Sequence, residues 1–327
     1  MRKRTRPQAP GSLSPGDWPL AAGLVVGVLA DALVGDPARG HPVALFGQAA
    51  TALEQLAYAD RKPAGAAFTT ASVLLAVVPV LTAARLCRRT PLARAAVTAG
   101  VTWAVIGARS LAAEALRIRE ALTAGDLPGA RLLLPRLCGR DPGRLDYAGI
   151  TRAVVESVAE NTSDAIVAPL LWGALTGPAG LAGYRAVNTL DAMVGHHSRR
   201  YEQFGWASAR LDDVANWAPA RLTALLTAAC APAVGGSPAI TVQTARMFGP
   251  RHPSPNAGWC EAAFAGALGL RLGGPLSYAG HVELRPELGS GPLPGAADID
   301  RAVRLSRAVT VAATTLVAGI AGTELSV

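Results

Sequence analysis

Charge is scarce in this chain of 327 residues: 17% are Asp, Glu, Lys or Arg, half are hydrophobic, and the mean hydropathy is +0.29. That balance excludes an ordinary soluble domain, and 35 Gly with 24 Pro punctuate it too often for a bundle of straight helices. Aromatic residues make up only 5% and do not interleave with a contiguous basic patch, so the net charge of +8 does not mark a nucleic-acid binder. The positive charge fits anionic lipid headgroups, a phosphate-bearing substrate, or both. Cys87, Cys138, Cys230 and Cys260 form no CxxC pair or other metal spacing. Walker A, GxGxxG, HExxH and GxSxG motifs are absent, which leaves a hydrolytic triad and a conventional nucleotide-binding domain without support. No internal repeat stands out.

What the chain does contain is a series of apolar runs. Residues 1–17 are basic, then Pro- and Ser-rich, and read as a disordered tail. The apolar run behind it continues without a cleavage site, so it reads as a retained first span over 18–35. Further spans are expected over 64–86, where Pro79 would kink the helix, over 92–115, from Val214 onward, and over 305–322. IVAPLLWGALTGPAGLAGY is too interrupted by Pro169, Gly177, Pro178 and Gly180 for a straight helix and reads as a broken or re-entrant element. The expected architecture is all-α: a polytopic helical integral membrane protein with roughly four to six membrane elements. Residues 18–327 are expected to form a single helical membrane domain, the catalytic one if the chain is an enzyme, with polar interfacial loops. Arg and Lys around the N-terminus and residues 85–94 favour a cytoplasmic start, although the arginines of 117–144 conflict with simple charge counting. The expected location is the cell membrane, with the active-site side cytoplasmic.

Against this background the polar clusters matter. In ESVAENTSDAIVAPLLWG, Glu156, Glu160 and Asp164 fall at successive i+4 positions and share one face of an unbroken helix, where a divalent cation or arginines would offset their repulsion. The competing reading is a solvated turn in which Asn161 and Ser163 cap the next helix. In 184–222, Asn188 and Asp191 stand three apart, and Asp212 and Asp213 precede Asn216 and Arg221 at helical spacings, with Arg210 alongside. Carboxylates and amides beside arginines supply what Mg²⁺-bound phosphate needs: hard oxygen ligands for the ion and forked donors for the anion. Ordinary pairing of Arg210 with Asp213 is the plainer alternative. His41 and His252 each precede a proline in stiff polar loops, and Glu261 follows the second loop as a cap, a metal ligand or a proton acceptor. Adjacent His196 and His197 point apart and suit a loop.

GDPARGHPV (35–43), ESVAENTSDAIVAPLLWG (156–173), YRAVNTLDAMVG (184–195), RYEQFGWASARLDDVANWAPARLTALL (200–226) and HPSPNAGWCEAAFAGALGLRLGG (252–274), in this order, closely resemble the adenosylcobinamide-phosphate synthase family of cobalamin biosynthesis. The resemblance implies an integral membrane ligase that uses ATP and Mg²⁺ to join (R)-1-aminopropan-2-ol O-phosphate, or aminopropanol, to the propionate carboxyl of adenosylcobyric acid, an adenosylated corrinoid. On that reading, Mg²⁺ falls to some of Glu160, Asp164, Asp191, Asp212 and Asp213. Proton transfer and catalysis fall among Glu156, Glu160, Asp164, Asp213, His41 and His252. Substrate and nucleotide oxygens fall to Asn161, Asn188, Arg210, Asn216, Arg221 and Asn256. Membrane lipids and later membrane-bound enzymes of the pathway are the expected partners, and nucleic acid is not. Ala44 departs from the family, which commonly has a basic residue after HPV, so no anion contact is assigned there. Transfer from a lipid diphosphate and transport of a corrinoid or phosphorylated metabolite are the competing functions.

Overall fold

The computed structural model describes residues 17–37, 39–196, 198–278 and 281–323. The tail expected over 1–17 lies outside them up to residue 16, as does His197. The chain runs from α1 (Trp18–Val34) and α2 (Pro42–Ala57) to α3 (Lys62–Leu86), α4 (Pro91–Val105) and α5 (Ala108–Thr123). A polar connection carries α6 (Leu127–Leu133) and leads to α7 (Tyr147–Thr162), α8 (Ala168–Thr176) and α9 (Pro178–Leu190). Then come α10 (Trp206–Ala215), α11 (Trp217–Cys230), α12 (Pro238–Phe248) and α13 (Ala257–Leu268). An antiparallel hairpin of β1 (Leu272–Tyr278) and β2 (His281–Leu288) precedes the closing α14 (Ala296–Gly322).

Three stretches are long and apolar enough to cross a membrane: Lys62–Leu86, Pro91–Thr123 and Ala296–Gly322, with Trp18–Val34 a shorter apolar helix. Val26, Leu29, Leu74, Val78 and Leu92 on these helices are exposed, an apolar surface suited to lipid rather than water. α1 lies close along α4 because a Cβ at Gly23 or Gly27 would sit 2.5 or 2.3 Å from Cβ of Thr98 or Thr102. Small residues permit that approach, and dispersion then holds two helices that lipid does not drive together. The second long stretch is interrupted at Ile106 and Gly107, between α4 and α5.

The run from Val214 is not among the helices long and apolar enough to cross a membrane. Asn216 separates α10 from α11, which covers 14 residues, about 21 Å at 1.5 Å per residue and short of the ~30 Å hydrocarbon core. The interrupted element is as expected: α8 ends at Gly177, whose φ of 73° suits glycine, and Pro178 opens α9. The hairpin is the departure from helix. Its Gly273, at φ 77°, has no room for a side chain, since a Cβ would lie 2.1 Å from the Pro286 carbonyl oxygen. α7 runs through the centre, with every residue from 153 to 159 buried. Glu156 and Ser157 in that stretch are therefore enclosed by protein, whereas Glu160, one residue beyond it, is exposed.

Candidate functional site

α7 and α9 each widen at the C-terminal end into a π turn, over Ser163–Val167 and Asp191–Gly195. The i→i+5 bonding of such a turn admits an extra residue and re-aims the side chains around it. Asp164 and Asp191 sit at these two irregularities. Together with Glu160 of α7 and Asp212 and Asp213 of α10 they line a cavity of about 710 Å³, closed on another side by Pro253–Ala257 and Cys260. Arg210, Asn216 and Asn256 also line it. Asn188 stands between two of the acids, its Nδ2 donating to Asp164 Oδ2 at 3.4 Å and Asp212 Oδ1 at 3.5 Å. Asn216 Nδ2 donates to Asp212 Oδ2 at 2.9 Å and accepts from the Tyr184 hydroxyl at 2.7 Å.

None of these acids belongs to the long apolar stretches. Burial raises the Glu160 carboxyl, and Arg140 and Arg285 pull it back. Asp164 is raised well above the usual range by burial and then by Glu160 and Asp212. Asp191 reaches about 6, through burial and then Asp213 and Glu160. Asp212 reaches about 7, through burial and Asp191, against the opposing hydrogen bonds from Asn216 and Asn188. The cavity thus holds carboxylates that repel one another and gain from an added cation.

Whether Mg²⁺ fits turns on the donor set. Among the described residues no three acids, His or Cys converge as a ready-made cage. Mg²⁺ does not require one, because it retains waters and binds through one or two carboxylates plus substrate phosphates. Oxygen donors spaced around an open cavity meet that requirement.

On the other side of Glu160 the charge reverses. Arg140, Arg152 and Arg285 gather around Glu156, Glu160 and Glu261. Glu156 pairs with Arg140, and its Oε1 accepts from the Gly273 N–H of the hairpin at 2.6 Å. His252 Nδ1 accepts from the Ser254 N–H at 3.0 Å, and its Nε2 stands 3.9 Å from Glu261 and 3.3 Å from Arg285 Nη1.

The structure therefore gathers most of the residues read from the sequence and sets a few apart. Glu156 does not line the cavity, because its partners pull it under the hairpin. Asn161 donates back to the Ser157 carbonyl at 3.0 Å and caps nothing. His41 caps α2, accepting from the Val43 N–H at 3.2 Å and standing 3.4 Å from Asp36. Arg221, stacked between Trp217 and Trp259, buttresses the loop by donating to Asn256 Oδ1 at 3.0 Å and the Pro255 carbonyl at 3.2 Å. Glu261 is not a cap: it lies well inside α13, buried beside His252. Arg210 does approach Asp213, at 3.6 Å. The sequence reading missed Arg140, Arg152 and Arg285, whose only signal there was bulk positive charge.

The raised acids give a pH prediction. Asp212 binds its proton more tightly folded, near 7, than unfolded, near 3.8, so its contribution to stability is lost as pH rises through that window. Asp212→Asn is expected to melt a few degrees above the unsubstituted protein at pH 8 without divalent metal, and to lose that advantage toward pH 4. Thermal melts in detergent across that range check it; a difference independent of pH would rule out the titration of Asp212 as its cause.

The family model described as CobD/Cbib protein matches residues 24–306. Cobalamin biosynthesis protein CobD of Mycobacterium tuberculosis is 53% identical over 299 residues, covering 90% of this chain and 94% of the relative. Proteins of the same description from Rhodobacter capsulatus and Chromobacterium violaceum are 48% identical over 228 residues (69% and 71% covered) and 43% identical over 287 residues (86% and 90% covered). No solved structure matches the chain.

Proposed function

The chain belongs to the CobD/Cbib protein family, and from that membership we propose that it is an enzyme of cobalamin biosynthesis that forms an amide bond. The carboxylate partner is a propionate of adenosylcobyric acid, and the amine is (R)-1-aminopropan-2-ol O-phosphate or aminopropanol. The observation that carries this reading is the cavity lined by oxygen donors of Glu160, Asp164, Asp191, Asp212 and Asp213, with an arginine cluster acting on Glu160 from behind that lining.

A carboxylate is a poor electrophile and an alkylammonium a poor nucleophile, so ligation needs activation of the first and deprotonation of the second. ATP supplies the activating group. A bound Mg²⁺, held by some of Asp164, Asp191, Asp212 and Asp213, would offset the charge of the nucleotide phosphates. Arg140, Arg152 and Arg285 are disposed to favour anionic substrate groups, and Asn188 and Asn216 fix the orientation of the acids beside them. Glu160, with its raised carboxyl and open face, accepts the proton released as the amine nitrogen attacks the activated carbonyl. A volume of about 710 Å³ suits an ordinary small-molecule site. It admits the reacting propionate arm and the phosphates and leaves the corrin ring at the mouth. The reaction is set at the cytoplasmic face, where ATP is available.

Purified protein given adenosylcobyric acid, ATP, Mg²⁺ and each amine in separate reactions is expected to yield one amide, identified by mass spectrometry, with the nucleotide product read in parallel. Folded protein that forms no amide with either amine would overturn the ligase reading and favour transport or another amine.

A further inference from the structure

A second cavity, of about 400 Å³, lies between α2, α3, α4 and α9, away from the acids. Phe46, Leu75, Val80, Val101 and Ala104 line it, and Arg185 is the one charged residue among its described lining. α3 and α4 belong to the stretches able to cross a membrane, and Leu75 and the neighbouring Leu45 are 49% and 53% exposed, so the groove opens among acyl chains. Arg185 Nε is buried and makes no hydrogen bond. The two carboxylates that act on its charge are engaged elsewhere: Asp36 with His41 at 3.4 Å and the Ser110 hydroxyl at 2.5 Å, and Asp164 with Asn188 at 3.4 Å on the other cavity.

A buried guanidinium with an unmade N–H bond is costly, and an anion in the groove would satisfy it. A soluble anion has no use for apolar walls, and a neutral hydrocarbon has none for arginine. We propose that this groove binds one anionic phospholipid of the surrounding membrane, with an acyl chain along α3 and α4 and the phosphate on Arg185. The planar fork of arginine suits a phosphate bidentately, which separates an acidic lipid from a zwitterionic one whose own cation competes.

Native mass spectrometry of the full chain, delipidated in detergent and titrated with phosphatidylglycerol or phosphatidylcholine of equal chain length, reads this directly. One phosphatidylglycerol is expected to be retained, about tenfold more tightly than phosphatidylcholine, a difference of about 1.4 kcal/mol. Arg185→Gln should reduce phosphatidylglycerol to the phosphatidylcholine level, and Ala104→Trp, which fills the groove without touching the charge, should expel both. Equal retention of the two lipids by the unsubstituted protein would overturn the proposal without recourse to any variant. So would a preference that survives both substitutions, or displacement of phosphatidylglycerol by millimolar inorganic phosphate, which would show that the site reads free phosphate.

Discussion

Glu160→Gln is expected to lower amide formation by about 10²–10⁴-fold, the usual contribution of a positioned proton-transfer group, while leaving the melting temperature unchanged or slightly raised. Glu160 is open to the cavity, and among the described residues its side chain makes no hydrogen bond or ion pair. Its carboxyl is also raised by burial, so the fold bears a cost to keep it there. A charged group that costs stability and gives the fold no bond is held for a ligand or a reaction. Gln preserves the shape and removes the charge. If Glu160 accepts the amine proton, kcat falls with little change in KM for ATP; if it helps to hold metal-bound phosphate, KM rises as well. Near-normal turnover would remove Glu160 from the chemistry altogether. Asp213→Asn is the companion case, since Asp213 lines the same cavity and approaches Arg210 at 3.6 Å.

How much of this could be read beforehand differs from residue to residue. Glu160 and Asp164 were legible because helical spacing is local and carboxylates four apart can share a face, and Asp212 and Asp213 because they precede Asn216 and Arg221 at helical spacings; a membrane protein does not place such groups idly. Glu156 obeyed the same spacing and turned away. Its partners are Arg140, 16 residues earlier, and the Gly273 N–H, 117 residues later, and no periodicity encodes either. The π turns that re-aim Asp164 and Asp191 left no trace in composition, because they answer to tertiary demand. Apolar length found the helices long enough to cross, but the run after Val214 is divided at Asn216, and α11 buries small residues such as Ala220, Ala224 and Ala228 while Trp217 and Leu225 stay exposed. The hairpin escaped because Gly273, Gly274, Pro275 and Pro286 read as loop, although Gly273 is there to bring its backbone N–H onto Glu156.

The pair beneath that hairpin carries the second large effect. Arg140 is 7% exposed and Glu156 2%. Removing one partner of such a pair leaves a charge buried without its counter-ion, at a cost of about 3–5 kcal/mol. Arg140→Met should therefore lower stability by that amount, measured as a drop in detergent melting temperature and as faster proteolysis at the hairpin. Arg140→Met with Glu156→Leu should recover part of the loss, because apolar groups replace a buried ion pair at little net cost. The recovery stops short because the Gly273 N–H then loses its acceptor, at about 1–3 kcal/mol. If the single and double substitutions are equally unstable, the pair is not what holds the hairpin. The same experiment has a catalytic readout. Arg140 leads the charges that pull the Glu160 carboxyl down, and Glu156 is a smaller one pushing it up. Losing both still leaves Glu160 harder to ionise, so the pH profile of kcat/KM should move to higher pH in the double variant even where stability returns. A strut alone would recover in both respects, whereas a strut that also sets the charge of Glu160 would recover only in the melt.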